Sequence, residues 1–223
     1  MADSPVTRWP LVYERLHAHF GAQDWWPAQS PFEVMVGAIL TQNTAWRNVE
    51  LAIAALRAAD ALGVRAILGM DEADLAQLIR PAGYFRVKAR RLRALCAFLA
   101  AQGVAEDPGQ LGRGQDPVAL RRDLLAVHGV GEETADAILL YALDAAVPVV
   151  DAYTRRIGKR LGLLPEKASY GEIQSAIAAE IPADLAVLNE LHALLVQLGK
   201  EHCRPRPRCE LCPLLSLCPH AYA

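Results

Sequence analysis

Four of this chain's five cysteines, Cys203, Cys209, Cys212 and Cys218, fall in one short C-x5-C-x2-C-x5-C stretch, and only Cys96 lies elsewhere. Thiolates this close in sequence form a ready-made ligand set for one metal centre, which constrains this end of the chain more than any other feature. Two disulfides are one reading. The opening MADSPVTRWP does not resemble a signal peptide, however, and a thiol cluster inside cells binds metal more often than it cross-links. A zinc site with four thiolates usually pairs two C-x2-C knuckles across a longer loop. Here the single knuckle, Cys209 to Cys212, is flanked by five-residue spacers. A cubane 4Fe-4S cluster also takes four cysteines and suits that asymmetry. Spacing favours iron–sulfur over zinc without deciding between them. Arg204, Arg206 and Arg208 alternate with Pro205 and Pro207, making a stiff basic loop between the first two cysteines. Charge balance for the thiolates and contact with phosphate are both open roles for these arginines.

The 223 residues allow one large domain or two small ones, and a hydrophobic content of 53% makes a sizeable helical core easy to build. A net charge of −2 argues against a globally basic nucleic-acid binder, so any DNA contact must come from local patches. Two such patches are visible: Arg86, Lys88, Arg90, Arg91 and Arg93, and Arg155, Arg156, Lys159 and Arg160. The most apolar stretch, 135–150, carries Asp136 and Asp144, so no membrane span is expected. The composition suits a soluble, cytoplasmic protein, associated with the nucleoid if the source is bacterial.

Strand signals are nearly absent and apolar residues recur at helical spacing throughout, which predicts an all-α protein. Leu11, Leu16 and Phe20 mark a first helix, and Pro31 stands at N1 of a second whose residues from Phe32 to Leu40 are almost all apolar. Further helices are expected over 46–59, 72–79, 87–101, 117–127, 132–143, 152–161, 170–181 and 185–202, with glycine or proline at most joints.

Outside the cysteines, the most specific stretch is 124–135. An apolar helix runs into Gly129-Val130-Gly131, and a second helix begins at once. Two glycines allow a tight turn and close approach of another surface, and the free N–H groups at the start of the second helix suit a phosphate. An ordinary αα-corner would look the same locally. Val149-Val150-Asp151 then follows, placing a carboxylate twenty residues after Gly131, where it could act chemically, cap the helix beginning at Ala152, or both.

A helix-hairpin-helix, a Val-Val-Asp some twenty residues later and a C-terminal four-cysteine loop together resemble the endonuclease III superfamily of DNA glycosylases, across nearly the whole chain. The resemblance implies two helical domains with a DNA cleft between them. One is a six-helix barrel over 28–145 containing the hairpin at 124–135. The other is an iron–sulfur domain joining 1–27 to 146–223, with the cluster loop at 203–218. It further implies that Gln42, in Thr41-Gln42-Asn43, fills the gap left by a flipped base, that Tyr84 belongs to a second wedge loop, and that Asp151 is catalytic. Gly129, Val130 and Gly131, with Arg204, Arg206 and Arg208, become candidate DNA contacts. Cys203, Cys209, Cys212 and Cys218 would hold a 4Fe-4S cluster. The expected partner is double-stranded DNA carrying damaged bases, bound by a monomer.

Two features depart from the family pattern. Bifunctional members carry a lysine two positions after the hairpin's last glycine, where its amine attacks the sugar and forms an imine. Here that position is Glu133, and a carboxylate cannot form an imine. The first cysteine spacer is also five residues rather than the commoner six. Glu133 suits the first turn of a helix. If it faced Asp151, repulsion would leave one carboxylic acid able to protonate a leaving base. The expected activity is therefore a monofunctional base-excision glycosylase in which Asp151 orients water or stabilises the sugar cation. Trp25-Trp26-Pro27, Thr41-Gln42-Asn43-Thr44, the Arg80–Tyr84 string and Thr134–Leu139 resemble the 3-methyladenine branch. That resemblance makes Trp25, Trp26, Pro27 and Trp46 a candidate base pocket, able to select a cationic alkylpurine by cation–π stacking. An enzyme for oxidised pyrimidines and a non-catalytic DNA-binding iron–sulfur protein are the alternatives.

Overall fold

The computed structural model describes residues 8–23 and 25–222. The opening residues 1–7, on which the signal-peptide expectation falls, lie outside them. Among the described residues there are eleven α-helices, four short 3-10 segments and no strand, as the helical periodicity predicts. None of these helices is long and apolar enough to cross a membrane. The chain divides into two compact units: Trp26–Ala145, and Met1–Trp25 together with Ala146–Ala223.

The continuous unit is built around α2 (Pro31–Leu40). Ser30 caps it by accepting the Glu33 N–H at 3.2 Å, Pro31 takes N1, and every residue from Phe32 to Leu40 is buried. A helix apolar on all sides must be enclosed. Accordingly α2 packs against α3 (Trp46–Ala58), α6 (Phe85–Ala101) and α8 (Glu132–Ala142). The shorter α4 (Val64–Gly69) and α5 (Glu72–Leu78) lie against α6, and α7 (Pro117–Leu125) pairs with α8. These make seven α-helices, one more than the six that apolar spacing predicts in this stretch. The unanticipated one is α4, a single turn and a half begun by Gly63 that buries Val64 and Ile67. Two carboxylates buried in this unit are matched by arginines. Arg57 donates to Glu33 at 2.8 Å, and Arg121 grips Asp136 with two bonds of 2.6 and 3.0 Å. A buried carboxylate without such a partner would cost several kcal/mol.

The discontinuous unit consists of α1 (Trp9–Phe20), α9 (Ala152–Arg160), α10 (Tyr170–Ala178) and α11 (Leu185–Glu201). Trp9, Val12 and Leu16 form the buried stripe of α1, which packs on α11, as does α9. Carboxylates secure the ends of the N-terminal segment. Trp9 N–H donates to Glu180 at 2.9 Å, and Gln23 N–H donates to Glu190 at 2.9 Å. A capping box between Ser169 and Glu172 starts α10.

Candidate functional site

The hairpin between α7 and α8 is anchored by buried Leu124, Val127 and Val130. Gly129 turns the chain at φ +87°, and a Cβ there would lie 2.1 Å from Arg91 Cγ on α6. The fold itself therefore demands glycine at 129. Gly131 is different. It is extended, caps α8 without a side-chain hydrogen bond, and a Cβ on it would meet nothing within 4 Å. Glu132 and Glu133 are exposed in the first turn of α8, where their charge favours the helix dipole.

Two loops flank this hairpin within the same unit. Gln42 does not project freely. Its Nε2 donates to Gly129 O at 3.0 Å and to Thr134 Oγ1 at 2.9 Å, and its Oε1 accepts from Arg91. Tyr84 does project: it is 72% exposed, and its left-handed φ of 45° follows Gly83 at φ +66°. Beneath both loops lies Lys88, which the sequence places in a basic patch but which is only 1% exposed. Its Nζ donates at 2.8 Å to Leu40 O, Thr44 Oγ1 and Ala82 O. Burial, with the Arg91 charge adding to it, pulls the Lys88 pKa down to about 8.

Asp151 caps α9, its Oδ1 accepting the Thr154 N–H at 2.7 Å. The extended Val149-Val150 before it is buried and pinned from α10. Tyr170 OH bonds Val150 N–H at 3.2 Å and Gln174 donates to Pro148 O at 2.8 Å. The other carboxylate oxygen, Oδ2, lies 3.7 Å from Nε2 of His192 on α11. Burial holds the His192 pKa below its ordinary value, against the weaker opposing pull of Asp151, so the imidazole is neutral at pH 7. His192 is a site residue that the motif-based reading passes over. Its signal was a histidine on the apolar stripe of Leu188, Leu191 and Leu195.

The four candidate pocket residues do not fall in one unit. Trp26 packs edge-on to Trp46 at 5.0 Å and against Tyr141 at 5.2 Å. Pro27 and Trp46 line a cavity of about 410 Å³ with Glu33, Glu50, Ile53 and Arg57. Trp25 belongs to the discontinuous unit, and the Lys200 ammonium stands over its ring at 5.1 Å. That cation competes with any cationic base for the same aromatic face.

The four C-terminal cysteines are unpaired and line one cleft with Arg160, His202 and Leu215. Disulfides are therefore not formed. Burial raises the Cys212 and Cys218 pKa values, and the neighbouring cysteine sulfurs raise them further, so four thiolates need compensating positive charge to coexist. Arg160 supplies one contact, from Nη1 to Cys203 Sγ at 3.3 Å. Among the described residues no three His, Cys, Asp or Glu side chains form a set that could hold one metal ion. A tetrahedral zinc with bonds of about 2.3 Å needs such convergence, whereas in a cubane each thiolate meets its own iron. The four thiols lining one cleft match the donor set of such a cluster.

Most of the supposed DNA-gripping arginines have intramolecular partners. Arg93 donates to Ile67 O and Met70 O, Arg155 to Ala168 O, and Arg156 to Cys203 O. Arg160 donates to Arg204 O and Pro205 O, and Lys159 pairs with Glu166 at 3.3 Å. Arg204 closes the end of α11 by donating to Lys200 O at 2.6 Å. Arg86, Arg90, Arg206 and Arg208 are exposed.

Comparison with known proteins places these features. Residues 36–183 match the model of the HhH-GPD superfamily base excision DNA repair protein. A candidate DNA repair glycosylase of Methanocaldococcus jannaschii is 46% identical over 208 residues, spanning 93% of this chain and 94% of that one. A solved endonuclease III–DNA complex superposes with a TM-score of 0.81 at 25% identity, covering 96% of this chain and 94% of the other. An H. pylori 3-methyladenine DNA glycosylase bound to 1,N6-ethenoadenine gives 0.74 at 26% identity, covering 87% and 98%. With the hairpin, the all-helical fold and this extent of similarity in agreement, the chain belongs to the HhH-GPD superfamily of base excision DNA repair proteins and has the endonuclease III-like fold.

Proposed function

We propose that the protein is a monofunctional DNA glycosylase that excises a damaged base with Asp151. The single observation carrying this reading is the Asp151 carboxylate. It is held at the start of α9 by the Thr154 N–H with its second oxygen directed towards a neutral His192, while the imine-forming position is the exposed carboxylate Glu133. A carboxylate so placed can orient or deprotonate water, or stabilise the oxocarbenium-like sugar as the N-glycosidic bond breaks. General-base assistance of this kind is worth about 10²–10⁴-fold. Glu133 serves the helix and forms no covalent bond to the sugar.

The duplex contacts in this reading are the backbone at Gly129, Val130 and Gly131, the loops of Gln42 and Tyr84, and exposed Arg206 and Arg208. Gly131 supports it: nothing packs where its Cβ would stand, which leaves the backbone N–H groups open to an approaching phosphate. Cys203, Cys209, Cys212 and Cys218 would hold a 4Fe-4S cluster, with Cys203 and Cys209 fixing the two ends of the Arg204–Arg208 loop.

Alkylated purines are the favoured substrates, on the likeness to the H. pylori enzyme and the Trp26–Trp46 aromatic pair beside the cavity. One observation favours a second reading. Lys200 over Trp25 repels a cationic base on that ring, which suits an uncharged lesion such as an oxidised pyrimidine. The test is release of free base from duplexes carrying 3-methyladenine, 1,N6-ethenoadenine or thymine glycol, with and without alkali and with borohydride. The proposal expects purine release, strand breaks only after alkali, and no trapped adduct. Activity on thymine glycol alone would sink the alkylpurine assignment, and a borohydride adduct would sink the monofunctional one.

A further inference from the structure

We propose that Lys88 is a positioning residue that fastens the Gln42 and Tyr84 loops to α6, so that both tips meet a duplex as one rigid pair. The inference rests on the reading above that these loops contact DNA. Its own support is geometric. The ammonium is buried, and its three donors go to Leu40 O, Thr44 Oγ1 and Ala82 O, each at 2.8 Å. Leu40 and Thr44 bracket Gln42, and Ala82 lies two residues before Tyr84. The Thr44 hydroxyl also donates to Ala82 O, so the two loops join directly at the point where the ammonium sits. One turn further along α6, Arg91 donates to Gln42, whose amide in turn holds Gly129 and Thr134 of the hairpin. One helix thus braces all three elements.

Packing alone does not explain a lysine here, because a methionine would fill the same volume without desolvating a charge. What methionine lacks is the three-donor head. An ammonium carries three N–H bonds and no lone pair, whereas a neutral amine has two N–H bonds. Both carbonyl partners can only accept, so loss of the proton removes one bond from the junction: the Thr44 hydroxyl turns to donate to the amine and gives up Ala82 O. Arg91, on the same helix, is the charged group that acts on Lys88; α2 and the 3-10 turn at Arg80–Ala82 supply backbone carbonyls, and the intervening loop supplies the Thr44 hydroxyl. With its pKa near 8, the junction is protonated at neutral pH and loses its proton in mildly alkaline buffer.

The test compares binding of the full-length protein to an undamaged duplex and to one carrying a tetrahydrofuran abasic analogue, from pH 7 to pH 9. The parent is expected to prefer the abasic duplex. Lys88→Met is expected to reduce that preference about tenfold, with a smaller loss of affinity for undamaged DNA. The parent's preference should decay with a midpoint near pH 8, and the variant's should be flat. Thr44→Val retains the lysine and removes one acceptor. It is expected to lose about threefold, and it carries the test with the parent's pH profile if Lys88→Met does not fold. A folded Lys88→Met with the parent's preference and pH profile overturns the inference, as does an unchanged Thr44→Val. A parent with no preference for the abasic duplex overturns instead the assignment of the loops to DNA.

Discussion

The two hairpin glycines offer a paired perturbation in which stability and function should separate. Gly129→Ala puts a Cβ at φ +87°, where an L-residue costs about 1–2 kcal/mol. That Cβ would also stand 2.1 Å from Arg91 Cγ and 2.6 Å from its Cδ, so the arginine stem must move and release Gln42. Overpacking of this kind costs about 1–3 kcal/mol, giving a total of roughly 2–5 kcal/mol. Gly131→Ala meets open space on an extended backbone and should cost no more than about 1 kcal/mol, the usual difference between caps. Urea unfolding followed by circular dichroism would measure both, reading the midpoint at constant m. Duplex affinity should show the reverse emphasis. Gly131→Ala should weaken binding to undamaged DNA about tenfold, because its methyl group stands between the hairpin N–H groups and a phosphate. A Gly129→Ala loss below about 1 kcal/mol would refute the steric argument. A Gly131→Ala protein that binds like the parent would refute the hairpin as the phosphate contact.

Three further outcomes concern other titratable and charged groups. Asp136→Asn breaks the ion pair between a fully buried carboxylate and a part-exposed Arg121 and should cost about 2–3 kcal/mol in urea unfolding, whereas Arg121→Met with Asp136→Leu should cost less; equal losses would contradict this. Because burial holds the His192 pKa below its unfolded value, the unfolded chain takes up the proton first. Stability should therefore fall as pH drops below about 6.5, and His192→Gln should flatten that slope between pH 7 and pH 5. An unchanged slope would contradict the assignment. Lys200→Gln removes the cation over Trp25 and should favour 3-methyladenine over thymine glycol by about two- to tenfold in relative excision rate. No change would show that Trp25 does not face the base.

The helices and the hairpin were legible because their signals are local. Apolar spacing of three and four residues, a capping serine, Pro31 at N1 and the Gly-Val-Gly turn all act over a few residues. Helix α4 escaped because its six residues, with Val64, Ile67 and Leu68 at helical spacing, span barely one repeat of the pattern. The basic residues were less legible, because their partners lie far away in sequence. A run of arginines reads as a DNA-facing patch, yet Arg93, Arg155, Arg156 and Arg160 find carbonyl partners at positions that composition does not reveal. Lys88 did leave a trace: it precedes Leu92, Leu95 and Leu99 at helical spacing and so lies on the buried stripe of α6. What the pattern lacked was its three acceptors, one of them 48 residues away in sequence. His192 is similar, since its pairing with Asp151 joins two helices that only the fold brings together.

The most direct test of the central claim is single-turnover base release by Asp151→Asn on the duplex the parent processes fastest. Asparagine keeps the shape and the oxygen that accepts the Thr154 N–H but removes the charge and the basicity. The rate should fall at least about a hundredfold with duplex affinity unchanged. A variant that releases base at the parent's rate would show that Asp151 does no more than cap α9.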